Sequence, residues 1–86
     1  MVELNRAIAV AEAEGLPAGL AIVERLDLDG YQYFHSTRAD LLRRLGRAED
    51  ARTEYERALA LAGSEHERRF LRRRIAEVGG SATPAR

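Results

Sequence analysis

The chain has 86 residues, with 33% charged and 45% hydrophobic side chains, a balance that excludes a strongly disordered polyelectrolyte. Fourteen basic and fourteen acidic residues give a formal net charge of zero, which argues against attachment to nucleic acid or a membrane through an overall field. There is no cysteine, so disulfides and thiolate metal sites are excluded.

No apolar run is long enough to span a bilayer, and the first residues lack a signal-peptide pattern, so the expected location is cytoplasmic. A single domain this small buries only ~60–65% of the surface of its unfolded chain. Every basic residue is Arg, which reads as a coding bias and carries no function.

Five helical segments follow in order. In Val2 to Glu14, Leu4, Ala7, Ile8 and Ala11 recur with the one-sided period of an amphipathic helix. Gly15 breaks it, and Pro17 suits the first turn of the next helix, where a missing N–H costs nothing. That helix carries Leu20, Val23 and Leu26 on one face and ends near the DLDG turn. Asp29 and Gln32 have the spacing of a capping box for a third helix, about Gly30 to Leu45, with Phe34, Leu41, Leu42 and Leu45 as its stripe.

Gly46 ends the third helix. The fourth, near Ala48 to Ala62, presents Ala48, Ala51, Tyr55, Ala58, Leu59 and Ala62 on one side, and Gly63 stops it. Ser64 and Glu67 form a second capping-box pair for a fifth helix running to about Val78. Phe70, Leu71, Ile75 and Val78 are its expected buried stripe. The sequence thus predicts an all-α domain over residues 1–78 and a disordered tail, GGSATPAR, over 79–86.

Short connections imply antiparallel hairpins. Sliding the chain by 32 positions lays Ala7 on Ala39, Gly19 on Ala51, Val23 on Tyr55 and Leu26 on Ala58. Small side chains at such places let two helices approach closely while larger ones fill the adjoining gap. A period of about 34 residues with this arrangement indicates tetratricopeptide-like helix pairs. The packing residues are then Ala7, Gly19, Ala39, Gly46, Ala51, Tyr55 and Ala58. The second unit resembles the tetratricopeptide consensus well, with Gly63 where a closing Pro is usual; the first is degenerate. The fold class expected is two such hairpins plus a C-terminal capping helix that hides the last apolar face. Two repeats are fewer than the three usually needed, so a missing neighbour or a second copy is implied.

The stretches VELNRAIAVAEAEG, LDGYQYFHSTRADLLRRLGRAEDARTEYERALALAG and EHERRFLRRRIAEV, over Val2 to Val78, are similar to the C-terminal extension of a family of bacterial RNA polymerase sigma factors. These are of the extracytoplasmic-function type and carry a tetratricopeptide-like region after their DNA-reading domains. LNRAIAVAE and YFHSTRADLLRRLGR are the most distinctive portions. The resemblance implies a protein-interaction or regulatory domain acting in transcription initiation. Its partners would be the sigma domains, the polymerase or a regulator, or a second copy of itself as a homodimer. The helix-turn-helix of the family has no counterpart in this chain, so direct nucleic-acid binding is not expected. Met1-Val2-Glu3-Leu4 enters an apolar helical pattern without an N-cap residue, as a piece of a longer protein would. The rival reading is a stand-alone adaptor or self-associating module.

By the repeat alignment, the concave face is lined by Ile8 and Glu12 with Asn5 beside them, then by Tyr33, Ser36, Asp40 and Arg43. This is the candidate protein-binding groove. It lacks the residue set that clamps a terminal carboxylate. In GYQYFH, Phe34 is expected in the core, with Tyr31 and Tyr33 at its edge. Arg68, Arg69, Arg72 and Arg73 form a candidate basic contact face, read first as a solvated face balanced by Glu65, Glu67 and Glu77. His35 and His66 lack metal-ligand spacing, so no metal or cofactor is expected. The chain carries no nucleophile elbow or phosphate-binding glycine loop, and an enzyme is not expected.

Overall fold

The computed structural model describes residues 2–82, which form five helices: α1 (Val2–Glu14), α2 (Leu16–Glu24), α3 (Gln32–Arg44), α4 (Ala48–Leu61) and α5 (Glu65–Ala82). Among the described residues there is no strand. Each helix packs on the next, most extensively α3 on α4, α1 on α2 and α4 on α5. The α2–α3 contact and a smaller α1–α3 contact join these pairs into one stack with overall extents of 39 × 28 × 17 Å.

The core is a single cluster. It includes Leu4, Ala7 and Ala11 of α1, Leu20 and Val23 of α2, Phe34, Ala39, Leu41 and Leu42 of α3, Ala51, Tyr55 and Ala58 of α4, and Leu71 and Val78 of α5. Ala7, Ala39, Ala51 and Ala58 have no exposed surface at all, while Val23 and Tyr55 fill space beside them.

Two glycines do opposite work. Gly19 is buried in α2, and a Cβ added there would lie 2.6 Å from the Ala11 Cβ and 2.7 Å from the Ala7 carbonyl oxygen. Its missing side chain is what allows α1 and α2 to touch. Gly46, expected among the packing residues, is instead exposed with open space around it. Its φ of 84° lets its N–H reach the Arg43 carbonyl at 3.0 Å while Arg47 N–H bonds the Leu42 carbonyl at 2.9 Å. Gly46 therefore closes α3 and packs against nothing.

Several boundaries differ from the sequence reading. Helix α2 ends at Glu24, so Leu26 lies just beyond it, still half-buried against the core. The Asp29–Gln32 capping box does not form: extended Tyr31 is the N-cap of α3, and no side chain caps that end. Ser64 does cap α5, its hydroxyl accepting from Glu67 N–H at 3.2 Å, but the Glu67 carboxylate reaches back to Gly63 N–H at 3.3 Å rather than to Ser64. Helix α5 continues through Gly79 to Ala82, contrary to the disordered tail; the remainder of that tail lies outside the described residues. Phe70, placed in the buried stripe, is 41% exposed.

Two glycine replacements should shift stability in opposite directions. Gly19→Ala gains helix propensity but overpacks a site with backbone on one side, and should cost about 1–3 kcal/mol. Gly79→Ala, in open space within α5, should stabilise by roughly 0.5–1 kcal/mol. Urea unfolding monitored by circular dichroism measures both; equal signs would refute this account of the α1–α2 crossing.

Candidate functional site

Helices α1, α3 and α5 meet along one face around a cavity of about 200 Å³, lined by Ile8, Ser36, Thr37, Asp40, Leu41, Arg44, Tyr55, Phe70 and Arg74. Of the expected groove residues, Ile8, Ser36 and Asp40 are thus brought together. Asn5 and Glu12 are exposed on α1, and Tyr33 stands exposed near the start of α3. Arg43 is half-buried, its Nε donating to the Tyr55 hydroxyl at 3.2 Å. The sequence reading omitted Phe70 and Arg74, because it assigned Phe70 to the core.

Two exposed apolar side chains, Ile8 and Phe70, line this cavity. Ile8, Tyr33 and Phe70 are 42%, 46% and 41% exposed, and the remaining large exposed apolar side chain among the described residues is Leu61. Exposed apolar side chains gathered in one groove mark a contact surface more strongly than the same residues scattered. The charged residues between them are mutually paired. Arg43 bonds Asp40 one turn away, and Arg44 bonds Glu12 of α1 at 3.2 Å, tying α3 to α1. Arg74 pairs with Glu77 at 3.0 Å and stacks over the Phe70 ring, 5.2 Å from its centroid. Burial pushes the Tyr55 phenol above its ordinary value of 10.0, leaving a neutral hydroxyl as the groove floor.

The Tyr33 hydroxyl donates to the Glu67 carboxylate and so joins α3 to α5. That hydrogen bond holds the Glu67 carboxyl below its ordinary value of 4.5 and raises the Tyr33 phenol. Of the four arginines expected as a basic face, two are engaged. Arg68 bonds Glu65 at 3.1 Å and the Ala62 carbonyl at 3.2 Å, and Arg72 bonds Glu65 at 3.3 Å. The Arg68 hydrogen bond draws the Glu65 carboxyl below its ordinary value. Arg69 and Arg73 are exposed and make no ion pair among the described residues.

A second polar assembly, on the other side of α3, was not anticipated. Glu54 of α4 is only 2% exposed. Its Oε1 shares a 2.7 Å hydrogen bond with His35 Nδ1, and its Oε2 accepts from Arg57 at 2.6 Å and forms an ion pair with Arg38 at 2.8 Å. His35 Nε2–H donates to the Asp29 carbonyl at 2.7 Å, and Arg38 continues to Glu24 at 2.8 Å. No buried side-chain polar atom among the described residues is left without a partner. The network therefore pins the α2–α3 loop to α3 and α4. A signal existed in the sequence: Glu54 falls between Ala51 and Ala58 on the buried face of α4, where an unpaired carboxylate could not remain. Among the described residues no cluster of three or more His, Asp or Glu side chains is placed to hold a metal ion. No helix among them is long and apolar enough to cross a membrane.

No protein-family model matches the chain, and no solved structure does. Over 87 aligned positions it is 46% identical to an uncharacterised protein of Rhizobium meliloti (strain 1021). The alignment takes in 99% of this chain but only 20% of that protein, so the chain spans a fifth of the length of the curated relative it matches.

Breaking the buried network should be costly where breaking a surface pair is not. Glu54→Ala leaves buried His35 and half-buried Arg38 without their shared carboxylate and should lower stability by about 3 kcal/mol. Arg52→Ala, which removes an exposed 3.2 Å pair with Glu56, should cost ~0.5 kcal/mol or less. Chemical denaturation of both variants provides the comparison.

The Tyr33–Glu67 bond gives a pH dependence of known sign. A carboxyl whose folded value is depressed contributes fully above its unfolded value and loses that contribution as pH falls through the folded one. The stability gap between the wild type and Tyr33→Phe should therefore be open at neutral pH and close as the pH drops below 4.5. Melting temperatures of the two proteins across that range measure it, and a gap that widened in acid would contradict the assignment.

Proposed function

We propose that this chain is a tetratricopeptide-like interaction domain, and that within a longer protein it serves as the regulatory C-terminal region of a sigma factor of the extracytoplasmic-function type. The observation that carries the interaction reading is the groove. Exposed Ile8 of α1 and Phe70 of α5 line one cavity with residues of α3 between them, and its charged side chains Asp40, Arg44 and Arg74 are each ion-paired. Stacked helix pairs use such surfaces to hold extended or helical partners. The pairing of α1 with α2 and of α3 with α4, followed by a fifth helix, supports the repeat reading, as does complete burial of Ala7, Ala39, Ala51 and Ala58.

The sigma-factor part of the proposal rests on the resemblance carried by LNRAIAVAE and YFHSTRADLLRRLGR. It is compatible with a relative five times as long as the aligned region, which leaves room for DNA-reading domains elsewhere in that chain. The mechanism is docking. The groove engages the sigma domains, the polymerase or a regulatory protein in the cytoplasm and alters formation of the promoter complex; no chemical step and no cofactor enter it. The groove also suits the alternative, an adaptor or self-associating module unrelated to transcription.

The full-length protein provides the test. Placing Ile8→Asp and Phe70→Asp together in it should change transcription from its target promoters while leaving protein abundance unaltered, because both side chains are already partly in solvent. Unchanged promoter output would refute the regulatory role. A reading frame that contains no sigma domains would favour the adaptor.

A further inference from the structure

Beside the groove lies a smaller notch of about 100 Å³, lined by Phe70, Arg73, Arg74 and Glu77. Phe70 and Arg74 line both cavities, so the two lie side by side along α5. Neither volume reaches the roughly 300–1,000 Å³ typical of small-molecule sites. Each is suited to single side chains of a protein partner.

The charges along this path are unevenly used. Within the groove, Arg43, Arg44 and Arg74 each have a carboxylate: Asp40, Glu12 and Glu77. At the edge of α5 the pairing stops. His66, Arg69 and Arg73 follow at i, i+3 and i+7 and thus share one helix face, exposed throughout. Arg72, next to them, is held by Glu65 at 3.3 Å.

We propose that the segment bound in this groove is amphipathic, placing apolar side chains against Ile8 and Phe70 and acidic side chains against Arg69 and Arg73. This inference rests on the interaction reading given above and adds the partner's chemistry to it. Charge complementarity selects the acid. An acidic side chain meets two guanidinium groups, Arg69 and Arg73, that have no carboxylate partner among the described residues, whereas a basic one meets like charge at both. Aromatic and Arg side chains side by side are also the composition favoured at protein interfaces. Nucleic acid fits less well, because Glu65, Glu67 and Glu77 interrupt the same helix and a phosphate backbone would need more than two free cations to hold it.

Three amphipathic helical peptides with identical Leu and Phe positions, and with Glu, Gln or Lys at every polar position, provide the probes. Fluorescence anisotropy against the intact protein should rank them Glu tightest and Lys weakest, with the difference shrinking at high salt. Arg69→Glu combined with Arg73→Glu should weaken the Glu peptide by about five- to tenfold and leave the Gln peptide unchanged. Ile8→Asp should weaken all three. Equal binding of the three peptides, or indifference to the arginine changes, overturns the acidic preference while the groove reading stands. Failure of every peptide to bind, or binding unaffected by Ile8→Asp, overturns both. Displacement of the Glu peptide by a short random-sequence duplex DNA would assign the arginine edge to nucleic acid instead. Circular dichroism melts of each variant verify that the fold is retained.

Discussion

Where α1 crosses α2, the chain has no room for even one more carbon. An ideal Cβ on Gly19 would lie 2.6 Å from Ala11 and 2.7 Å from the backbone of Ala7. The same economy recurs at Ala39, Ala51 and Ala58, all fully buried. Close approach at these points brings helices into van der Waals contact, which compensates for the modest core of so small a chain. It also fixes the distance between successive pairs. The groove that α1, α3 and α5 share is a consequence of that spacing: wider crossings would part Ile8 from Ser36 and Asp40, and the cavity they line would open into solvent.

Glu54 imposes a second constraint of a different kind. A fully buried carboxylate has no intrinsic place in a core, and it persists because His35, Arg38 and Arg57 all point at it. Tyr55, its neighbour in sequence, faces the groove side and binds Arg43. Adjacent residues of α4 thus address opposite faces of α3, one through a charged network and one through a hydroxyl. With α3 held from both sides, the α2–α3 loop is fixed by the His35 bond to the Asp29 carbonyl. Hydrogen bonds of this geometry select one docking orientation between helices, which apolar contacts alone, being non-directional, would leave free to slide.

Much of this was legible from residue spacing. Five helices, the glycine stops at Gly15 and Gly46, and the alanine crossings all follow from periods of three and four and from backbone sterics. Interactions that depend on three dimensions were not. The Asp29–Gln32 spacing suggested a cap, but the Asp29 carbonyl is committed to His35, a partner six residues away whose orientation no local pattern reveals. Within the charged run ERRFLRRR, Phe70 reads as part of one buried stripe with Leu71, Ile75 and Val78. On a helix, however, Leu71, Ile75 and Val78 already fill the inward arc, and Phe70 falls 100° away from Leu71, over the groove. The extension of α5 past Gly79 was hidden by low-propensity residues, whose preferences a long preceding helix can override.

The distribution of charge ties these features to function. A protein with zero net charge has no long-range field to draw a partner in, so recognition depends on where local pairing is incomplete. The two arginines that line the cavity, Arg44 and Arg74, are each paired with a carboxylate, so on the proposed docking burial of Ile8 and Phe70 would supply the affinity. Along α5 the matching fails at Arg69 and Arg73, and there orientation can be read. An amphipathic segment laid in the groove backwards would keep its apolar contacts but forfeit the two arginines. On the proposed docking, the apolar anchors supply most of the contact area, and the edge of α5 adds a charge that an acidic partner can meet.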